Sequence, residues 1–167
     1  MLVNTYSRRI FNMAFQFSGS YEEAEDMTQD IFFKLYNSLK KFDFRKNFTA
    51  WLLTIAKNYL IDEYRRTKWE KRSRDNFDEH YLVSEAQESP EEDVLKKESR
   101  RTIWEGLNAL PSEIRMTIIL RDIQGKSYEE VAEIMSLPEG TVKSRINRGR
   151  LQLARFLKDK KEKSHEV

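Results

Sequence analysis

Only five glycines and three prolines interrupt 167 residues, and the stretches between them are rich in leucine, isoleucine, lysine, glutamate and arginine, which lose little on entering a helix. A chain this poor in breakers and turn formers is expected to fold as all α. Three helix starts carry a serine followed three residues later by a glutamate, the pattern in which each side chain bonds the other's backbone: Ser20 with Glu23, Ser89 with Glu92, Ser127 with Glu130. Pro90 and Pro111 suit first-turn positions. These marks place helices at about 2–18, 21–40, 48–66, 90–109, 111–123, 127–135 and 139–160.

Apolar residues make up 39% of the chain and charged residues 35%, enough for thin cores and therefore for one ordinary domain or two small lobes. The charges nearly cancel, 30 basic against 28 acidic, but their order is uneven. Arg65, Arg66, Lys68, Lys71, Arg72 and Arg74 are followed by Asp75, Asp78, Glu79, Glu85 and Glu88. Residues 69–89 lack apolar periodicity and read as a flexible charged tether between two lobes; the alternative is an irregular loop packed inside a single helical domain.

Composition also limits the chemistry. The absence of cysteine excludes disulfides and thiolate sites, and His80 and His165 are the only imidazoles. No glycine-rich phosphate loop, metal-ligand spacing or nucleophile–histidine–carboxylate set occurs, so no catalytic residue, metal or cofactor is expected, and binding is favoured over catalysis. No apolar run approaches the roughly 18 residues of a spanning helix, and the N-terminus MLVNTYSRRI lacks the layout of a secretory signal. The expectation is a cytoplasmic protein without membrane insertion.

The strongest local pattern runs from Ser127 to Leu157: a short helix (SYEEVAEIM), a tight connection (SLPEG) and a long basic helix (TVKSRINRGRLQLARFL). This is helix-turn-helix spacing. At 100° per residue, Val142, Ile146, Gly149, Leu153, Phe156 and Leu157 form an inward stripe. The opposite side presents Lys143, Ser144, Asn147, Arg148 and Arg155, flanked by Thr141, Arg145 and Arg150. Cations meeting phosphates supply affinity, whereas Ser144, Asn147 and Arg148 could meet base edges. A basic face alone is as compatible with simple solvation; the short helix and turn ahead of it favour duplex DNA.

A second helix, DMTQDIFFKLYNSL, has an apolar side of Ala24, Met27, Ile31, Phe32, Leu35 and Leu39. On its other side Phe33 stands among Asp26, Gln29 and Asp30, as in a protein-binding patch. Periodicity leaves open whether Phe33 instead folds under a loop.

In the third segment, KKFDFRKNFTAWLLTIAKNYLIDEYRR, the aromatics Phe42, Phe44, Phe48, Trp51 and Tyr59 alternate with Lys40, Lys41, Arg45, Lys46, Lys57, Arg65 and Arg66, a mixture that suits unpaired bases. Asp43 and Asn47 are the turn formers of a loop at 42–48. The following helix is expected to bury Trp51, Leu52, Ile55, Ala56, Tyr59 and Leu60, with Thr54, Lys57, Asn58, Ile61 and Arg65 outward. Trp51 in part, and Tyr59 almost wholly, would belong to a small core.

In this order, DMTQDIFFKLYNSL, FDFRKNFTAWLLTIAKNYLIDEYRR and LNALPSEIRMTIILRDIQGKSYEEVAEIMSLPEGTVKSRINRGRLQLARFL resemble the bacterial extracytoplasmic-function sigma factors over about residues 20–157. The resemblance implies a region 2 lobe at 1–68, a linker at 69–90, a region 4 lobe at 91–160 and a charged tail at 161–167. It implies a protein that brings core RNA polymerase to promoters, with Asp26, Gln29, Asp30 and Phe33 docking on the clamp helices of the polymerase largest subunit. Phe42, Asp43, Phe44, Arg45, Lys46, Asn47, Phe48, Trp51, Lys57 and Asn58 would take the minus 10 element and hold a flipped base. Thr141, Lys143, Ser144, Arg145, Asn147, Arg148 and Arg150 would bind the minus 35 duplex, with Lys143, Ser144, Asn147 and Arg148 reading it in the major groove and Arg145, Arg150 and Arg155 on the backbone. Members are commonly held by an anti-sigma factor, so one is an expected partner. The chain departs from the family in a shorter first helix and in a loop without the glycine often found near Phe44 and Arg45. Two other classes also fit parts of the sequence: a dimeric helix-turn-helix regulator, which leaves the Asp26–Phe33 patch unused, and a helical scaffold with merely solvated basic faces.

Overall fold

A glycine closes the first helix. The chain leaves α1 (Leu2–Ser18) at Gly19, whose φ of +74° is cheap only without a side chain. A Cβ there would also collide with the Trp104 indole. The computed structural model describes residues 2–67 and 90–166, so the tether expected at 69–89 and the serine–glutamate start at Ser89 lie outside the described residues.

α2 (Tyr21–Ser38) opens with Ser20 accepting the backbone N–H of Glu23 at 3.3 Å. A short 3-10 turn, Leu39–Lys41, leads into the loop. Asn47 then starts α3 (Phe48–Thr67) by accepting the Ala50 N–H at 3.1 Å. The remaining elements are α4 (Pro90–Asn108), α5 (Ser112–Ile118), α6 (Tyr128–Met135) and α7 (Glu139–His165). α5 continues through a π turn, Ile119–Ile123. The described residues contain no strand, and no helix among them is long and apolar enough to cross a membrane.

The expected elements are present, with three differences. Pro111 is the N-cap of α5 rather than its first turn. The segment expected as one helix at 111–123 changes its winding at Ile119. α7 runs to His165, five residues past the expected end at 160, because lysine and glutamate continue there without a breaker.

α1, α2 and α3 pack around Ile10, Met13, Ile31, Leu52 and Leu60; α4 to α7 pack around Leu107, Ile118, Ile134, Val142 and Ile146. These are not two isolated cores. α3 lies against α5 and α6, and the buried residues of both lobes form one continuous cluster. Lys57 and Ile61, expected to face outward, are therefore buried, at 7% and 6% exposure. Leu52, Ala56 and Leu60 are buried as expected, whereas Trp51, Ile55 and Tyr59 are half-buried. The helical wheel of α3 describes one packed face, and the second lobe covers another.

Candidate nucleic-acid interface and docking patch

The helix-turn-helix is built from local bonds. Ser127 Oγ accepts the Glu130 N–H at 3.1 Å while Glu130 Oε2 accepts the Ser127 N–H at 2.7 Å, completing the reciprocal cap. The second of these bonds holds the Glu130 carboxyl below its ordinary range, since a proton on the carboxyl would weaken the acceptor for the Ser127 N–H. α6 ends at Ser136 in the left-handed region, φ +54°, and Leu137 N–H returns to the Ala132 carbonyl at 3.0 Å. That turn sets α7 across α5. A Cβ on buried Gly149 would stand 2.8 Å from both Ile114 Cγ2 and Ile118 Cγ1, so α7 approaches α5 as closely as glycine allows.

On the outer side of α7, Lys143, Ser144, Asn147, Arg148 and Arg155 are exposed and Thr141 is half-buried. Lys143 pairs with Glu139 at 3.2 Å and lies 5.5 Å from the Tyr128 ring centre. Arg150 is held by Asp122 through two bonds, and Arg145 turns toward Glu113 at 3.8 Å. Ser144, Asn147 and Arg148 are exposed between these paired cations, and Arg148 makes no ion pair among the described residues. Base-edge reading needs such donors and acceptors.

The loop before α3 is organised by Phe42. This ring is buried at 7% exposure and touches Trp51 (centroids 4.5 Å), Phe44 (5.2 Å) and Phe48 (5.3 Å). Phe44 lies edge-on against it yet is 83% exposed. Asp43 accepts from the Arg45 backbone N–H at 3.1 Å and from its guanidinium at 2.9 and 3.0 Å, which holds the Asp43 carboxyl below its usual range. Lys46 N–H bonds the Asp43 carbonyl at 2.9 Å. Phe44, Arg45, Lys46 and Asn47 remain exposed, while Asp43, Phe48 and Trp51 are half-buried. The expected set is thus brought together, except that Phe42 lies beneath the surface and Lys57 is covered. Lys57 Nζ donates to exposed Asn58 at 2.6 Å. Burial pushes the Lys57 ammonium below its ordinary range, opposed by Asp62 and Glu113 and aided by Arg145.

On α2, Asp26, Gln29, Asp30 and Phe33 are all exposed, Phe33 at 70%, so the ring is not folded under a loop. Tyr59 donates to Asp30 Oδ2 at 2.6 Å; burial first, then this bond, raises the phenol above its usual range. A groove of about 610 Å³ runs between α2 and α3, lined by Asp30, Phe33, Lys34, Asn58, Tyr59 and Arg66. Tyr36, three residues after Phe33, is also exposed, at 76%. It was not expected at this patch, although its i, i+3 spacing from Phe33 was a readable sign.

Residues 2–70 match Sigma-70 region 2 and residues 100–153 match Sigma-70, region 4. ECF RNA polymerase sigma factor SigW of Bacillus subtilis is 32% identical over 173 residues, spanning 95% of this chain and 88% of that protein. ECF RNA polymerase sigma-E factor of Escherichia coli is 34% identical over 157 residues, 90% of this chain and 81% of that one. Among solved structures, the sigma factor RpoE of Bartonella quintana in complex with the anti-sigma factor NepR superposes with a TM-score of 0.68 at 29% identity, covering 93% of this chain and 94% of that one. CnrH in complex with the cytosolic domain of CnrY also gives 0.68, at 26% identity and 95% and 86% coverage.

The fold and the two matched regions define a DNA-binding transcription factor. The chain belongs to the ECF sigma factors of the sigma-70 family. It serves promoter-specific transcription initiation with RNA polymerase.

Proposed function

We propose that the chain acts through three surfaces divided between a region 2 lobe at 1–68 and a region 4 lobe at 91–160, with 69–90 as linker and 161–167 as tail. Asp26, Gln29, Asp30 and Phe33 dock on the clamp helices of the polymerase largest subunit. The observation that carries this is Phe33: a ring 70% exposed beside three polar side chains loses roughly 1.5–3 kcal/mol of burial that only a partner returns.

The loop from Phe42 to Phe48 takes the minus 10 element. Phe44 is free to stack on an unpaired base, with Phe42 and Trp51 supporting it and Asn58 at the side; capture offsets the few kcal/mol that unstacking costs. Ser144, Asn147 and Arg148 read the minus 35 duplex, while Thr141, Lys143, Arg145, Arg150 and Arg155 meet its backbone. No covalent step falls to this chain on this reading; it positions polymerase and opens DNA. The likeness to the sigma factor RpoE solved in complex with the anti-sigma factor NepR supports an anti-sigma factor as a further partner.

Selection from a random DNA library with core polymerase tests the division. The protein should enrich two sequence blocks at fixed spacing, with Arg148→Ala blurring only the upstream block and Phe44→Ala only the downstream one. A single block, or equal blurring of both, contradicts it.

A further inference from the structure

One apolar side chain stands among the polar groups of the outer face of α7. Leu151 is 61% exposed, and at about 100° per residue it lies about 180° round the helix from buried Val142. It therefore points straight away from the core. Its neighbours on the same strip, Ser144, Asn147, Arg148 and Arg155, are all exposed. Packing within the protein does not call for leucine at this place. Leu153, on the inner side, packs against the core cluster, and Leu157 rather than Leu151 lines the apolar groove between α4 and α7. Lysine, glutamate or glutamine would serve a merely solvated helix face equally well.

Spacing ties Leu151 to the residues assigned above to bases. Ser144, Asn147, Arg148 and Leu151 stand at i, i+3, i+4 and i+7, the set through which one face of a helix meets successive base pairs in the major groove. Seven residues rise about 10 Å along the helix, the length of about three base-pair steps. The first three side chains offer hydrogen-bonding groups to base edges, whereas leucine offers none. The apolar group on the major-groove edge of a base pair is the thymine 5-methyl. Packing that methyl against the leucine side chain takes both out of water. Cytosine in the same place would bring an amino donor against a side chain that cannot accept it.

We propose that Leu151 is a specificity-determining residue that contacts the 5-methyl of one thymine at the edge of the upstream block, next to the bases met by Asn147 and Arg148. This rests on the proposed reading of the minus 35 duplex by α7.

Duplexes carrying the upstream block recovered with core polymerase provide the test, each thymine being replaced in turn by uracil. That exchange removes the methyl and keeps every hydrogen-bonding group. Wild-type affinity, read by fluorescence anisotropy, should fall about threefold to fivefold at one position, and Leu151→Ala should show no loss at that same position. Cytosine there should weaken wild-type binding further, and 5-methylcytosine should recover part of the loss. In the random-library selection Leu151→Ala should blur that position alone, with an unchanged melting temperature. An upstream block without such a thymine, or a uracil loss that persists in Leu151→Ala, would overturn the inference and leave the reading by Ser144, Asn147 and Arg148 standing. Recovery of no upstream block by the wild-type chain would overturn both, and Arg148→Ala would then also be without effect.

Discussion

Asp122 holds Arg150 by a two-point bond, Oδ2 to Nε at 2.9 Å and Oδ1 to Nη2 at 2.6 Å. The pair ties the π turn after α5 to the recognition helix α7, and it occupies a cation assigned to the DNA backbone. Asp122→Ala should release Arg150 toward phosphate. Both side chains are partly exposed, so the loss in urea denaturation should be about 0.5–1 kcal/mol. Upstream duplex affinity at low salt should rise, with a steeper dependence on salt.

Gly149 is required by packing rather than by turn geometry. Gly149→Val places methyl groups where a Cβ alone already lies 2.8 Å from Ile114 and Ile118. The overpacking should cost about 1–3 kcal/mol, measured by thermal or urea unfolding, and should also weaken upstream DNA binding because α7 shifts.

Phe42 and Phe44 are two residues apart but differ in burial, 7% against 83% exposed. Phe42→Ala should destabilise the protein by about 3–5 kcal/mol. Phe44→Ala should leave the melting temperature unchanged and weaken binding of unpaired minus 10 DNA by about 1–3 kcal/mol, read by fluorescence anisotropy on a forked template.

The serine–glutamate cap of α6 should show in acid. Ser127→Ala should cost about 1 kcal/mol in urea at neutral pH. Because bonding to the Ser127 backbone lowers the folded pKa of Glu130, its contribution is present above the unfolded value near 4.5 and is lost as pH falls through the lowered value. The stability gap between wild type and Glu130→Gln should therefore be open at neutral pH and close once the pH has fallen below the lowered value.

Local patterns carried most of the fold. Scarce breakers and the Ser20 and Ser127 starts gave the helices, and the apolar stripe of α7 located Val142, Ile146 and Gly149 inside, as observed. What periodicity could not supply was anything set by the other lobe. Lys57 and Ile61 sit on the polar side of α3's wheel and become buried because α5 and α6, some fifty or more residues later in the chain, pack on it. Arg115, in the run EIRMTIIL, has no local mark that distinguishes a buried guanidinium from a solvated one. In the loop, Phe42 and Phe44 are the same residue type in the same composition; only the Asp43–Arg45 turn, closed in three dimensions, separates an anchoring ring from a presented one.

Run-off transcription over a genomic promoter library, with core polymerase in the presence and absence of this chain, tests the central claim most directly. The account predicts discrete promoter-dependent transcripts only when the chain is added, lost on Phe33→Ala through weaker polymerase association while a duplex-binding assay is unaffected. No promoter-dependent transcript from any template, or an identical loss of polymerase and duplex binding in that variant, would contradict it.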